Sequence, residues 1–329
     1  MFDPAKVVAN VAKTDYKTIV QEPVFGTPGS NEFLVFLKPE IFMGDQSYHL
    51  KRVTMVASKL EEYGVSVDGM IVVSGGFIQE KGIMAKHYGF INMVSNTASQ
   101  MVTEADRAKM TELLGEDCST IAIYGGHEAL KQFPDMTPTA LDDFWFTKKS
   151  LKVRGGFYFQ KYTHAGQDFL LVDGFHPHQI EYFTLPDRRV VLMVCHSKTE
   201  WKKLRWDMIG STFPEKASSG SIRGELFARA AEFGYDKVDI ANNGVHLSAG
   251  PFEGIAELDN FVAKALGKDI FAQLSFVKLM LAEGLTMEQI KKSITNPTIM
   301  VEGKAKDLFG STEDMEPAAA AGVYSSGKS

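Results

Sequence analysis

Two rhythms alternate along this chain: short unbroken apolar runs, and stretches whose apolar residues recur every three or four positions. Phe33-Leu34-Val35-Phe36-Leu37 is a run of the first kind, stopped by Pro39, and predicts a strand covered on both faces. Over residues 50–63 the apolar positions Val53, Val56, Ala57 and Leu60 share one helical face, and Gly64 ends the stretch. Residues 65–73, rich in Val and Ile, predict a second strand, followed by Gly75-Gly76 and a helix over 78–88. The run 190–194 restores the buried-strand pattern, 200–208 predicts a helix, 244–248 a short strand and 254–265 a helix. Residues 271–283 and 287–294 then predict two amphipathic helices joined at Leu285-Thr286 as a hairpin.

Between these lies a stretch of different character. Residues 96–186 carry a predicted helix at 104–114, a strand at 121–124, a helix at 141–148, and aromatic strands at 156–162 and 169–173. With that segment set aside, the order is strand, helix, strand, helix, strand, helix, strand. This is the split β-α-β arrangement of a ferredoxin-like, antiparallel four-stranded sheet with helices, an α/β (α+β) class interrupted by a large α/β insertion. The expected division is an N-terminal extension (1–30), a first part of the core (31–95), the insertion (96–186), a second part of the core (187–265), and C-terminal helices with a mobile tail (266–329). The small and polar residues from Ser311 onward give the tail its reading.

Composition narrows the function classes. A chain of 329 residues at 44% hydrophobic and 23% charged can bury a sizeable core. Lys plus Arg number 35 against 41 Asp plus Glu, and a net charge of −6 disfavours a nucleic-acid partner. The two cysteines, Cys118 and Cys195, are far apart and outside C-x-x-C spacing, so neither a disulfide framework nor a thiolate zinc site is expected. Charged residues Asp3, Lys6, Lys13 and Asp15 interrupt any signal-like run, and no long apolar stretch follows. A cytoplasmic protein without a membrane partner is the expectation.

The usual phosphate cradles are missing: no G-x-x-x-x-G-K-[ST] occurs, and Gly327-Lys328-Ser329 lacks the upstream glycine of a P-loop. The pairs Gly75-Gly76, Gly125-Gly126 and Gly155-Gly156 read as turns. His176-Pro177-His178 offers two imidazoles without an evident third ligand and reads as a loop. What remains is polar residues at the ends of the buried strands. Lys38 closes the first strand, where a lysine is ordinarily a solvated charge. Arg205, Thr212 and Arg223 fall in a glycine-rich polar passage suited to a ligand-facing loop. His246 sits in a short apolar strand, where a histidine is ordinarily a satisfied core residue.

Taken in order, Lys38-Pro39-Glu40, Gly210-Ser211-Thr212 with Pro214, Ser221-Ile222-Arg223-Gly224-Glu225, and Asn243 with His246 and Ser248 resemble the nucleoside diphosphate kinase family. The spacings agree, eleven positions from Thr212 to Arg223 and three from Asn243 to His246. Lys86-His87-Tyr88 resembles the family's tyrosine-bearing helix, and Glu257 stands eleven residues past His246, where the family keeps a carboxylate. The resemblance covers residues 32–95 and 188–264. It implies ping-pong transfer of the γ-phosphate of a nucleoside triphosphate to a nucleoside diphosphate through phosphohistidine at His246. Glu257 then holds the other ring nitrogen, and Lys38 meets the transferring phosphate. Arg205 and Arg223 meet the remaining phosphates, with Tyr88, Thr212, Asn243 and Ser248 completing the contacts. Mg²⁺ is implied as a passenger on the phosphates, and a homo-oligomer as the assembly.

The sequence also departs from the family. Ile41 stands where a glycine follows the Lys-Pro-acid motif, and Ala249-Gly250 follow Ser248 where an acidic residue is usual. One extra residue separates Arg205 from Gly210, so Trp206 competes on spacing for the arginine's place. The insertion replaces the short lid that stacks on the base, and its Trp145, Phe157, Tyr158 and Phe159 read as a base-stacking surface or as core. These departures keep a second class of function open, a nucleotide-binding regulatory or scaffold module with little or no kinase activity.

Overall fold

The computed structural model describes residues 2–327. Its strands are β1 (Lys17–Gln21), β2 (Asn31–Leu37), β3 (Ser66–Ser74), β4 (Ala122–Gly125), β5 (Leu151–Arg154), β6 (Phe157–His164), β7 (Gln167–Val172), β8 (Arg189–Ser197), β9 (Val245–Leu247), β10 (Thr298–Val301) and β11 (Lys304–Asp307). The chain divides into two compact units, residues 1–81 with 186–329, and residues 82–185. The second unit takes in helices Ile83–His87 and Gly89–Met101, which the sequence pattern groups with the first part of the core.

In the first unit the four expected strands form one antiparallel sheet in the order β3-β8-β2-β9, with β1 added outside β3. All seven residues of β2 are buried, as an unbroken apolar run at the sheet centre requires. Alternate positions Phe33, Val35 and Leu37 join Val53, Val56 and Leu60 of helix Ser47–Glu62 in one core. Phe36, on the opposite face, stacks on Phe261 at 5.4 Å between ring centroids. Register pairs Phe36 with His246 across β2 and β9.

Three expectations of the sequence pattern change. Residues 17–21, read as part of an extension, form edge strand β1, whose short alternation of exposed and half-buried positions gives little signal. The helix expected over 78–88 is two helices, Gly75–Glu80 and Ile83–His87, parted by Gly82 at φ +58°. The tail reading gives way to helices Leu308–Thr312 and Pro317–Ser326, the latter started by a proline in its first turn and carried by four alanines. Ala320, Ala321 and Tyr324 are buried, and Tyr324 and Phe276 both pack edge-on to Phe252. The predicted hairpin, Ser275–Ala282 and Met287–Ser293, therefore covers the helix that carries Glu257. Lys328 and Ser329 lie outside the described residues.

In the second unit a four-stranded sheet runs β4-β7-β6-β5, with β4 parallel to β7 and the other pairs antiparallel. Trp145, Phe157 and Phe159 are buried in its two apolar clusters, and Tyr158 packs against one of them, so these aromatics are core. Instead of a loop, His176-Pro177-His178 opens helix His176–Thr184, with proline pre-set for its first turn. His176 is buried between Gln179 and Asn92. Cys118 and Cys195 are both buried and free. Among the described residues no helix is long and apolar enough to cross a membrane.

Candidate active site

Strand β9 is only three residues long, yet its placement organises the site. Gly244, just before it, has φ +79°, and a Cβ there would lie 2.5 Å from Leu226 and 3.1 Å from Ile41, so only glycine lets the chain enter so close to β2. The Glu40 carboxylate accepts from the Gly244 amide at 2.8 Å, and the Lys38 amide donates to the Gly244 carbonyl at 2.9 Å. Arg52, 1% exposed, ties the far side of this turn together by donating to the carbonyls of Glu40, Ile41, Met43, Phe233 and Gly234. Its guanidinium lies over the Tyr235 ring at 4.0 Å.

His246 follows, its ring stacked on Phe36 with centroids 4.4 Å apart and planes 16° from parallel. Its Nε2 lies 2.7 Å from Oε1 of Glu257, which is 3% exposed and closes helix Pro251–Glu257. The other Glu257 oxygen accepts from the Ser248 hydroxyl at 2.6 Å, and the Ser248 Oγ accepts from the Leu34 amide at 3.1 Å. With a carboxylate as its partner, Nε2 is assigned the proton, which leaves the lone pair on Nδ1. Burial holds the imidazole far below the ordinary histidine range, at about 3. Glu253 works against that shift, while the cations Lys38, Arg223 and Arg205 add to it. The ring is therefore neutral, as a nitrogen nucleophile must be.

Lys38, at the end of β2, donates to Asn243 Oδ1 at 2.7 Å, and burial draws its ammonium down to about 8, opposed by Glu40 and helped by Arg223. Asn243 is 1% exposed and donates onward to the Thr212 and Ile240 carbonyls, which links Lys38 to the glycine-rich passage. Thr212 itself is exposed. Arg223, in the first turn of helix Ile222–Ala228, donates to the Gly210 carbonyl at 3.0 Å and the Val245 carbonyl at 2.9 Å, pinning that passage to β9.

Arg205 lies in a π-helical turn, Leu204–Ile209, whose wider winding absorbs one more residue than an α-helical turn. That accounts for the extra residue before Gly210 and keeps Arg205 within electrostatic reach of His246. Its Nη1 is 2.6 Å from Glu313 and 2.7 Å from Asp314, and Trp206 Nε1 donates to Asp314 at 2.8 Å.

His246, Glu257, Ser248, Lys38, Asn243, Arg223, Thr212 and Arg205 thus all belong to the first unit. Tyr88 belongs to the second, just after helix Ile83–His87, with its ring edge-on to His176 at 6.0 Å. Sequence reading missed Phe36 and Phe261, which carry no motif, and Glu253, pushed up to about 8 by burial and by Glu257. It also missed Glu313 and Asp314, whose polar setting reads as tail.

No protein-family model matches the chain, and no curated protein sequence does. Among solved structures it is similar to an apo nucleoside diphosphate kinase from Encephalitozoon cuniculi, at 14% identity and a TM-score of 0.34 over 70% of this chain and 88% of that one. An NDP kinase from Pyrobaculum aerophilum is similar at 18% identity and a TM-score of 0.35 over 70% and 95%. Both likenesses lie below 20% identity, with TM-scores under 0.5.

Proposed function

We propose that this chain is a nucleoside diphosphate kinase of enlarged form, built on a ferredoxin-like core and working through phosphohistidine at His246. The observation that carries the reading is the Ser248–Glu257–His246 relay, which fixes the ring's protonated nitrogen on a buried carboxylate and leaves Nδ1 as nucleophile. The strand order β3-β8-β2-β9 supports the core assignment, because a split β-α-β sheet places its fourth strand beside the first.

In the first half-reaction the Nδ1 lone pair attacks the γ-phosphorus, the P–O bond to the β-phosphate breaks, and the nucleoside diphosphate leaves with that electron pair. In the second, a terminal oxygen of another diphosphate attacks the same phosphorus, and the P–N bond returns its pair to Nδ1. Glu257 stabilises the imidazolium character that develops while phosphorus is bonded. Lys38, Arg205 and Arg223 spread positive charge over the phosphate oxygens. Mg²⁺ bound with the nucleotide phosphates would neutralise part of their charge, while Glu257 stays bonded to His246 and Ser248.

One observation favours the other reading, a nucleotide-binding regulatory module: Arg205 is already paired with two carboxylates. Steady-state transfer from ATP to a second nucleoside diphosphate separates the two. Parallel double-reciprocal lines that vanish in His246→Ala support ping-pong transfer. Intersecting lines contradict the phosphohistidine, and ADP binding without turnover supports the regulatory module.

A further inference from the structure

Arg205 is the cation that the sequence resemblance assigns to the phosphates, and a C-terminal turn already occupies it. Glu313 Oε1 and Asp314 Oδ1 both meet its Nη1, at 2.6 and 2.7 Å, and the second Asp314 oxygen accepts from Trp206 Nε1. Two carboxylates on one guanidinium more than cancel its charge, which opposes the approach of a polyphosphate. The turn is held at both ends. The Asp314 amide donates to the Ala249 carbonyl at 3.0 Å, one residue past Ser248. Glu316 accepts from the Trp201 amide at 2.6 Å and from Asn31 Nδ2 at 3.0 Å. Gly250 makes room for it, since a Cβ there would lie 2.8 Å from the Thr312 carbonyl oxygen. Asp314 itself is left-handed at φ +62°, a conformation that Asp tolerates better than most residues other than glycine.

We propose that Glu313 and Asp314 form an internal anionic strap that competes with nucleotide phosphates for Arg205, so that the free protein is self-inhibited and a bound nucleoside diphosphate displaces the strap. The inference rests on the reading of Arg205 as a phosphate-binding residue. It also gives the Ala249-Gly250 departure a role: a small residue at 250 is what lets the C-terminal turn reach the site.

The test uses the full chain with ADP and Mg²⁺ as the probe, in wild type, in E313Q/D314N, and in the same double variant carrying Arg205→Gln. Calorimetry is expected to show at least fivefold tighter ADP binding in E313Q/D314N, with the gain lost when Arg205 is also replaced. In wild type, saturating ADP is expected to speed hydrogen exchange at the Asp314 amide. Equal or weaker binding in E313Q/D314N would overturn the strap and assign the two acids to positioning Arg205. So would an Asp314 amide that stays protected while wild type is saturated, and in both cases the nucleotide site stands. If no form binds ADP, the nucleotide reading itself falls and the strap falls with it.

Discussion

Glu257→Gln replaces the carboxylate beneath His246 with an amide of nearly the same shape. The side chain it alters is 3% exposed and bonds His246 at 2.7 Å and Ser248 at 2.6 Å. A hydrogen bond to a charged group contributes about 1.5–3 kcal/mol. That interaction matters most once phosphorus is on Nδ1, because the ring is then cationic and its Nε2 proton faces the carboxylate. At about 1.36 kcal/mol per factor of ten, kcat/KM is expected to fall roughly 10- to 150-fold. Ser248→Ala removes one hydrogen bond to Glu257 but leaves the carboxylate facing His246, so its loss should be smaller than that of Glu257→Gln, which alters both bonds. The assay is transfer from ATP to a second nucleoside diphosphate, with thermal unfolding run alongside to confirm that both variants are folded. A Glu257→Gln protein within twofold of wild type, or one less impaired than Ser248→Ala, would refute the relay as the source of the nucleophile's orientation.

The pH profile should be unusual at both ends. Because His246 is held at about 3, its deprotonation sets no acid limb between pH 5 and 7, where an ordinary histidine gives one. On the alkaline side Lys38 loses its proton as pH rises through about 8, so kcat/KM falls there. In Lys38→Arg the limb should move to higher pH, and an unmoved limb would assign it to Glu253, also near 8. Burial of a neutral His246 also carries a stability sign. Between its folded value near 3 and the ordinary 6.5 the unfolded chain binds the extra proton, so stability rises with pH across that window. His246→Gln should flatten that part of a denaturant-midpoint titration, and an unchanged slope would argue against a buried neutral ring. Arg52→Met should cost about 3–5 kcal/mol in chemical denaturation, because five carbonyls lose their donor at once. A loss under 1 kcal/mol would show that this turn does not depend on it.

What the sequence made legible follows from how each residue does its work. The central strand 33–37 is buried on both faces and shows as an unbroken apolar run, whereas β1 is a short edge strand that leaves almost no pattern. His246, Glu257, Lys38 and Arg223 stand at motif spacings, so motif reading reaches them. Phe36 works by lying flat under an imidazole, and such packing becomes visible only once β2 and β9 are paired. The π-helical turn at 204–209 explains a spacing that looked like a mismatch, because local winding alters which residue reaches the site without altering composition. The strap at Glu313 and Asp314 was illegible for a related reason. A polar turn near a chain end resembles a tail until Gly250 and Trp206 are seen to receive it.

The central claim is that His246 carries the phosphoryl group. Incubation of the purified protein with Mg²⁺ and γ-labelled ATP, beside His246→Ala, tests it most directly. The account predicts acid-labile, base-stable label on the wild-type protein, discharged within one turnover by added nucleoside diphosphate and absent from the variant. Label that persists in His246→Ala, or wild-type protein that binds ATP and takes up none, would contradict it.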